Sequence, residues 1–367
     1  MWFEKLVGFK ENNPDQVRKN IEIVSNRLIS KINNREFIFG KLEMPSLEKL
    51  RNQSRIEEYH SKIHVSGIVE DIQTLHKDVT NDKSVIQVAS QFNLLEMVAP
   101  NKTPEEGVGI YEYDRTQGPA CAIACGAGTI YRNYFVNVNG QIGQTSTNQI
   151  DCLSEIGIEF ENGKYNHWEM KNGYALANKE GLKNIKKRIE TLSENDYEYL
   201  KGKLKIGVQW NSEVTISGNE NLITQVYCSA LPVAYSNVEK ELWKDFAKMI
   251  LDAAYEATLF AALQNYEKTK NNRVFLTLIG GGAFGNEKEW IFNAIANAIK
   301  KFSRTPLDIK IVSYETSNTD TKEFIDLINH KLNKKKPFVT RKNVFKNVLT
   351  PHSYGITPIQ NPMFLFK

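Results

Sequence analysis

The sequence predicts an α/β fold in which a mixed sheet carries helices on both faces. Short apolar runs that are typical of strands alternate along the chain with longer segments of helical period. One strand-like run, at 273–280, passes through glycines into a helical segment. An Asn-Gly dipeptide, Asn162-Gly163, lies between two alternating runs. Since that dipeptide is a hairpin signal, it predicts that some strands are antiparallel.

The predicted elements fall into three parts. In residues 1–60, Asn13-Pro14-Asp15 predicts the start of a helix whose apolar face would continue along Val17, Ile21, Val24, Leu28 and Ile32. A second short helix begins near Ser46, and we interpret this part as a helical N-terminal extension rather than a separate domain. Residues 61–330 form the main α/β domain, with an insertion at about 151–212. Residues 331–367, which contain three prolines and little periodicity, form a C-terminal tail.

Strands and helices follow one another through the main domain. The predicted strands are 62–69, 82–92, 204–210, 223–236, 273–280 and 307–314. The predicted helices are 120–134, 179–192, 238–264, 290–302 and 321–332. The helix at 120–134 is rich in Ala, Gly and Cys, which predicts close backbone packing against a neighbour.

Composition excludes several classes of protein. A formal net charge of +4 on 367 residues does not indicate nucleic acid or a membrane surface as a partner. The four cysteines form no C-x-x-C pair, so we expect reduced thiols and no metal site. No apolar run reaches about 18 residues, which predicts no membrane span. The charged first residues do not look like a secretory signal, so we expect a cytoplasmic protein.

The segment Leu276 to Trp290 contains Gly280, Gly281, Gly282 and Gly285 between a strand and a helix. Glycines there let backbone N–H groups approach an anion, which predicts a phosphate-binding loop. A Walker loop is excluded because Asn286-Glu287 replaces its Lys and Ser/Thr. A lone G-x-G-x-x-G match is weak evidence for a dinucleotide, and a tight turn without a ligand also fits.

Three further stretches give the sequence a family resemblance. Asp71-Ile72 ends one strand, Ser90-Gln91-Phe92-Asn93 ends the next, and Gln117-Gly118-Pro119 opens a helix after a loop. In this order, with the glycines at 280–285 as a second loop, the chain resembles macrodomains. It is closest to an atypical ADP-ribosyl hydrolase branch, distantly related to poly(ADP-ribose) glycohydrolases. The resemblance covers about 62–330 and implies a three-layer α/β/α fold and no cofactor.

The resemblance also implies ligand contacts. Asp71 would accept a hydrogen bond from the adenine amino group, and Asn93 would contact the distal ribose. Tyr314 would cover the adenine. The remaining implied contacts to ADP-ribose are Ile72, Gln91, Phe92, Gly118, Pro119, Gly280, Gly281, Gly282, Ala283, Phe284, Gly285 and Asn286. The first loop lacks the three glycines and paired glutamates of the glycohydrolases, so their catalytic residues have no counterpart there.

Cleavage at an anomeric carbon needs at least one carboxyl group. Asp114, just before the Gln117 loop, is our first candidate, followed by Glu96 and Glu106, with Gln117 positioning water or a ribose hydroxyl. The predicted function is removal of ADP-ribose from a modified protein or other macromolecule. A module that binds ADP-ribose without cleaving it, and another phosphate-binding α/β enzyme such as a nucleotide-dependent oxidoreductase, are the alternatives.

Overall fold

A computed structural model describes residues 1–314 and 319–333. Almost all of the predicted C-terminal tail lies outside the described residues. The N-terminal extension contains three helices and four strands: α1 (Trp2–Val7), α2 (Pro14–Asn20), β1 (Ile21–Val24), β2 (Arg27–Ser30), β3 (Glu36–Ile38), β4 (Lys41–Glu43) and α3 (Leu47–Gln53).

The helix predicted to run from Pro14 to Ile32 is therefore wrong beyond Asn20. Strands β1 and β2 pair as an antiparallel hairpin. Ser25 in the turn has a φ of 57°, a left-handed conformation that ends any helix. Ile21 and Leu28 of the predicted stripe are buried on the two strands, whereas Val24 and Ile32 are 46% and 52% exposed. The extension is therefore not purely helical.

The first half of the main domain contains β5 (His64–Val69), α4 (Ile72–Lys77), β6 (Val85–Ala89), α5 (Gln117–Ala124), α6 (Gly126–Tyr134), β7 (Asn137–Val138) and β8 (Gln141–Ile142). The predicted small-residue helix is thus two helices separated at Cys125. The insertion contributes α7 (Ser154–Glu159), α8 (Asn162–Tyr165), β9 (Trp168–Lys171), β10 (Tyr174–Ala177), α9 (Lys179–Thr191) and α10 (Glu194–Gly202). The second half contains β11 (Gly207–Glu213), β12 (Leu222–Cys228), α11 (Lys240–Thr269), β13 (Arg273–Leu276), α12 (Lys288–Lys301), β14 (Asp308–Ser313) and α13 (Thr319–Asn333).

Seven of these strands form one sheet in the order β4-β11-β12-β6-β13-β14-β5. Neighbouring strands from β12 to β5 are parallel, whereas β11 is antiparallel to both β12 and β4. The sheet is mixed, as predicted. The antiparallel part, however, comes from β11 and from the extension's own β4 rather than from the hairpin expected at Asn162-Gly163.

Helices cover both faces of the sheet. Successive side chains of a strand point to opposite faces. In β12, Thr224 hydrogen-bonds Asn265 of α11, while the next residue, Gln225, donates to the carbonyl of Cys121 in α5. Helix α11 also packs against α3, α9, α10 and α12, and α5 packs against α4 and α6. The predicted three-layer α/β/α class is confirmed.

The extension shares the hydrophobic core of the main domain. Phe3, Leu6 and Val7 of α1 are buried in one cluster with Ala122 of α5 and Ile130 of α6. All four cysteines are buried and none forms a disulfide. Within the described ranges, no helix is long and apolar enough to cross a membrane.

Candidate functional site

The predicted site residues collect at one edge of the sheet. The five parallel strands β12, β6, β13, β14 and β5 all end there, and ligands of open α/β sheets gather outside such carboxyl ends. Asp71 follows β5, Gln91 follows β6, Gly280 follows β13 and Tyr314 follows β14. Two pockets open at this edge, on either side of the segment 114–120.

The first, which we call the glycine pocket, has a volume of about 180 Å³. It is lined by Ala89, Ser90, Gln91, Glu96, Thr116, Gln117, Gly118, Pro119, Cys228, Ala230, Leu278, Ile279, Gly280, Gly282, Ala283 and Phe284. The second, the extension pocket, has a volume of about 590 Å³. Its lining is Trp2, Lys5, Leu6, Arg35, Asp71, Gln73, Glu112, Asp114, Arg115, Ala120, Ile123, Thr215, Ile216 and Tyr314.

The start of α5 presents backbone N–H groups to the glycine pocket. Thr116 precedes the helix, and its side chain makes no capping hydrogen bond. The N–H groups of Gln117 and Gly118 have no acceptor among the described residues. Gly118 lies so close to β6 that a Cβ there would overlap the carbonyl oxygen of Ala89. Unpaired N–H groups at a helix start favour an anion.

The glycine loop presents a second set of donors. Gly280 and Gly285 have φ values of 76° and 71°, which other residues rarely adopt. The Asn286 side chain closes the loop by donating to the carbonyls of Leu231, at 2.8 Å, and Gly280, at 3.3 Å. A Cβ at Gly282 would meet nothing within 4 Å. Because α12 begins only at Lys288, the loop itself, rather than the helix start we expected, provides the free amides of Gly282, Ala283 and Phe284.

Glu96 lies in the glycine pocket with a side chain that is 1% exposed. Neither carboxylate oxygen meets hydrogen-bond geometry with the described residues. The nearest cation is Arg132, whose Nη2 lies 3.5 Å from Oε1. Burial raises the Glu96 pKa from 4.5 to about 7, although the charge of Arg132 opposes that shift. A carboxyl group in this state can hold or release a proton near neutral pH.

The loop that carries Glu96 is fixed by its own polar side chains. Gln91 accepts from the N–H of Met97 at 2.9 Å and donates to its carbonyl at 3.2 Å. Asn93 accepts from the N–H of Leu95 and donates to Gln149. Between them Leu94 has a φ of 62°, a strained conformation for a leucine. Asn93, predicted to contact the distal ribose, and Gln91, predicted to contact ADP-ribose, are thus engaged in shaping the turn.

Arg132 stabilises the base of the pocket. It is fully buried, donates to the carbonyl of Leu94 at 3.0 Å, and stacks 3.7 Å from the ring centre of Tyr227. The hydroxyl of Tyr111 accepts from the backbone N–H of Glu96 at 3.0 Å. The carboxylate nearest to Arg132 is that of Glu96, one of the predicted catalytic candidates.

Of the other predicted catalytic residues, Gln117 also lines the glycine pocket, whereas Asp114 and Glu106 do not. Asp114 lines the extension pocket and accepts from the N–H of Thr116 at 2.8 Å. The side-chain amide of Gln117 is bound to the backbone of β6. Its oxygen accepts from the N–H of Ala89, and its nitrogen donates to the carbonyl of Gln87. Glu106 lines neither pocket and pairs with Lys102 at 2.7 Å.

Some of the predicted ligand contacts line one of the two pockets, and others line neither. Asp71 caps α4 through Oδ1, which accepts from the N–H groups of Gln73 and Thr74, and Oδ2 has no hydrogen bond to the described residues. Tyr314 is 66% exposed beside it. Phe284 packs against Tyr174 and Tyr235 at the rim of the glycine pocket. The predicted contacts that line neither pocket are Ile72, Phe92, Asn93, Gly281, Gly285 and Asn286.

Sequence reasoning missed the contribution of the extension. Trp2, Lys5 and Arg35 line the same pocket as Asp71 and Tyr314. They lie far from Asp71 in the sequence and in no recognisable motif. Their charge and aromatic character were the only signals that could have suggested a role in binding. The residues that the structure describes contain no cluster of His, Cys, Asp or Glu that could hold a metal ion.

The chain is similar in fold to solved poly(ADP-ribose) glycohydrolases. The enzyme of Thermomonospora curvata, bound to the inhibitor ADP-HPD, is 9% identical with a TM-score of 0.41, over 86% of this chain and 95% of that one. The enzyme of Deinococcus radiodurans, in complex with ADP-ribose, is 7% identical with a TM-score of 0.42, over 80% and 94%. No family model and no curated protein matches the sequence. Similarity at this level gives no residue-by-residue correspondence. Any inference about the reaction therefore rests on the side chains of this site.

Proposed function

We propose that the protein is an ADP-ribosyl hydrolase with Glu96 as its catalytic carboxyl group. The observation that carries the proposal is the position of Glu96, buried in a pocket that two sets of unpaired backbone N–H groups border. Such donors suit phosphate oxygens. A buried carboxyl group next to them suits acid–base chemistry on a sugar attached to those phosphates.

The two pockets match the parts of an extended ADP-ribose. The adenine would lie in the extension pocket, with its amino group donating to the free Oδ2 of Asp71 and its ring against Tyr314. The diphosphate would cross the amides of Gln117 and Gly118 and those of the glycine loop. The distal ribose would then enter the glycine pocket against Phe284, close to Glu96.

In the reaction, the protonated Glu96 carboxyl donates its proton to the leaving oxygen as the bond from that oxygen to the anomeric carbon breaks. The ribose develops oxocarbenium character, which the adjacent diphosphate stabilises. A water molecule then adds to the anomeric carbon, and its proton returns to the Glu96 carboxylate. A pKa of about 7 suits both steps at neutral pH.

The geometry favours Glu96 over Asp114, which was our first candidate from the sequence. Asp114 borders the pocket assigned to adenine and already accepts a backbone hydrogen bond. No carboxylate other than Glu96 lines the glycine pocket in the described part of the chain. We therefore assign Asp114 to positioning the segment 114–116.

Binding is tested by calorimetric titration of the whole protein with ADP-ribose. Gly282→Glu adds a carboxylate to a residue that lines the pocket, and the new Cβ would meet nothing within 4 Å. We expect this substitution to weaken the binding of ADP-ribose at least about tenfold, because the added carboxylate repels the diphosphate of the ligand across a small pocket. Gly163→Glu is the matched control, since that glycine is equally open and lines neither pocket. No binding to the wild-type protein at millimolar ligand would overturn the proposal.

Hydrolysis is tested with ADP-ribosylated protein as substrate. Glu96→Gln should lower the rate about 10²-fold or more while ADP-ribose still binds. Asp114→Asn should lower it less. A wild-type protein that binds ADP-ribose and releases none from protein would instead be a reader. Equal turnover by Glu96→Gln and the wild type would exclude Glu96 as the catalyst.

A further inference from the structure

Three cationic side chains line the extension pocket, although adenosine itself carries no charge. Lys5 and Arg35 of the N-terminal extension and Arg115 of the main domain line it. Within the described residues, none of the three forms an ion pair with a carboxylate. Cations in a concave site that are not held in ion pairs can attract an anionic ligand.

The acidic residues of the same pocket are engaged by backbone donors. Asp71 caps α4, Asp114 accepts from Thr116, and Glu112 accepts from the N–H of Trp2 at 2.8 Å. Each of these carboxylates is held by a backbone donor rather than by one of the three cations. Lys5, Arg35 and Arg115 therefore have no ion pair to break within the described residues when they bind an anion.

Arg35 is held in place rather than free on the surface. Its Nη1 donates to the carbonyl of Lys5 at 3.1 Å, and its guanidinium lies 4.8 Å from the ring centre of Phe37. The neighbouring Asn33 donates to the carbonyl of Leu6 at 3.1 Å. These contacts fix the Arg35 guanidinium beside the Lys5 backbone, so little Arg35 side-chain entropy is lost when it binds an anion.

We propose that Lys5 and Arg35, together with Arg115 of the same pocket, bind a phosphate group carried on the adenosine ribose of the ligand. This inference rests on the proposed function, because it assumes that adenosine occupies the extension pocket. An arginine and a lysine together match the fork geometry and the charge of a phosphate monoester. The N-terminal extension would then select ligands that are phosphorylated at the adenosine end.

The test is calorimetric titration of the full chain with three ligands: ADP-ribose, and ADP-ribose carrying a 2′- or a 3′-phosphate on the adenosine ribose. We expect one phosphorylated ligand to bind about tenfold more tightly than ADP-ribose at low salt, with the advantage shrinking as ionic strength rises. In the double variant Lys5→Ala/Arg35→Ala, the dissociation constants for ADP-ribose and for the preferred phosphorylated ligand should become nearly equal. Lys10→Ala/Lys19→Ala is the matched control, since both lysines are exposed in the extension and line neither pocket.

The outcomes separate this inference from the proposed function. Binding of ADP-ribose with no preference for either phosphate would overturn the inference and leave the proposed function intact. A preference that persists in Lys5→Ala/Arg35→Ala would show that these residues do not form the phosphate site. Binding of none of the three ligands would overturn both proposals.

Discussion

Glu96 makes the stability of the fold depend on pH in an unusual direction. Its pKa is about 7 in the folded chain and near 4.5 when exposed. Because the folded pKa is the higher one, the protonated carboxyl favours folding. That stability is fully present below pH 4.5 and is lost as the pH rises through 7.

The comparison that isolates this effect is wild type against Glu96→Gln, which keeps the shape of the side chain and cannot ionise. Between pH 5 and pH 8, the free energy of unfolding of the wild type should fall by about 2–3 kcal/mol relative to the variant. Urea unfolding at both pH values measures it. Other groups, such as the buried His76 with a pKa lowered to about 4, are common to both proteins and cancel. Parallel pH profiles would mean that Glu96 is ionised throughout.

At the scale of elements, the site depends on how closely α5 approaches β6. Gly118 is the contact point, and an added Cβ would meet the Ala89 carbonyl and come within 3.3 Å of the Glu96 Cγ. Neither neighbour is the end of a flexible surface chain. The start of α5, which presents the Gln117 and Gly118 amides, must move if residue 118 has a side chain.

We therefore expect Gly118→Ala to lower the free energy of unfolding by about 1–3 kcal/mol. Gly163→Ala is the control, because that helical glycine has open space around it and alanine there should be neutral or slightly stabilising. Thermal unfolding of both variants measures the difference. If Gly118→Ala were as stable as Gly163→Ala, the close approach of α5 to β6 would be wrong.

Elements with a strong local signal could be predicted from the sequence. The parallel strands β5, β6, β12, β13 and β14 and the helices α11 and α12 lie where their apolar patterns indicated.

The predicted hairpin was assigned to the wrong Asn-Gly pair. Asn162 instead starts α8 and its side chain bonds the backbone of Trp168 in both directions, while Asn172-Gly173, with φ values of 46° and 80°, makes the turn between β9 and β10. Long-range contacts decided between two equal local signals.

At the scale of the whole molecule, the site is built from segments that are distant in sequence. The order of the strands brings Asp71, Gly118 and Gly282 to one edge, which the motif order made predictable. The extension's share of the site depends on how α1 packs against α5 and α6. That contact leaves no local pattern, so Lys5 and Arg35 could not be predicted as site residues. Glu96 was predicted only as one of several loop acids, because burial is a property of the fold.

Glu11 connects the extension to the segment 108–116 of the main domain. Its carboxylate accepts from the N–H groups of Val108 and Gly109, at 3.0 and 2.5 Å, and from the Tyr134 hydroxyl at 2.7 Å. Gly107 and Gly109 leave room for it, since a Cβ at either would lie 2.6 Å from Oε2. The segment that Glu11 holds leads to Tyr111, whose hydroxyl accepts from the Glu96 backbone.

Glu11→Gln should loosen this connection, because an amide has one acceptor oxygen where the carboxylate has two, and its NH₂ group would face a backbone donor. We expect a loss of about 1–3 kcal/mol in the free energy of unfolding and faster amide hydrogen exchange along 108–116, with unchanged exchange in the rest of the main domain. Asp15→Asn is the control, since that side chain is 95% exposed and pairs only with Arg18. Unchanged exchange in 108–116 would mean that the main domain holds this segment without the extension. Faster exchange confined to 108–116 would show that the extension supports the segment that carries Asp114, Arg115 and Tyr111, the last of which bonds the Glu96 backbone.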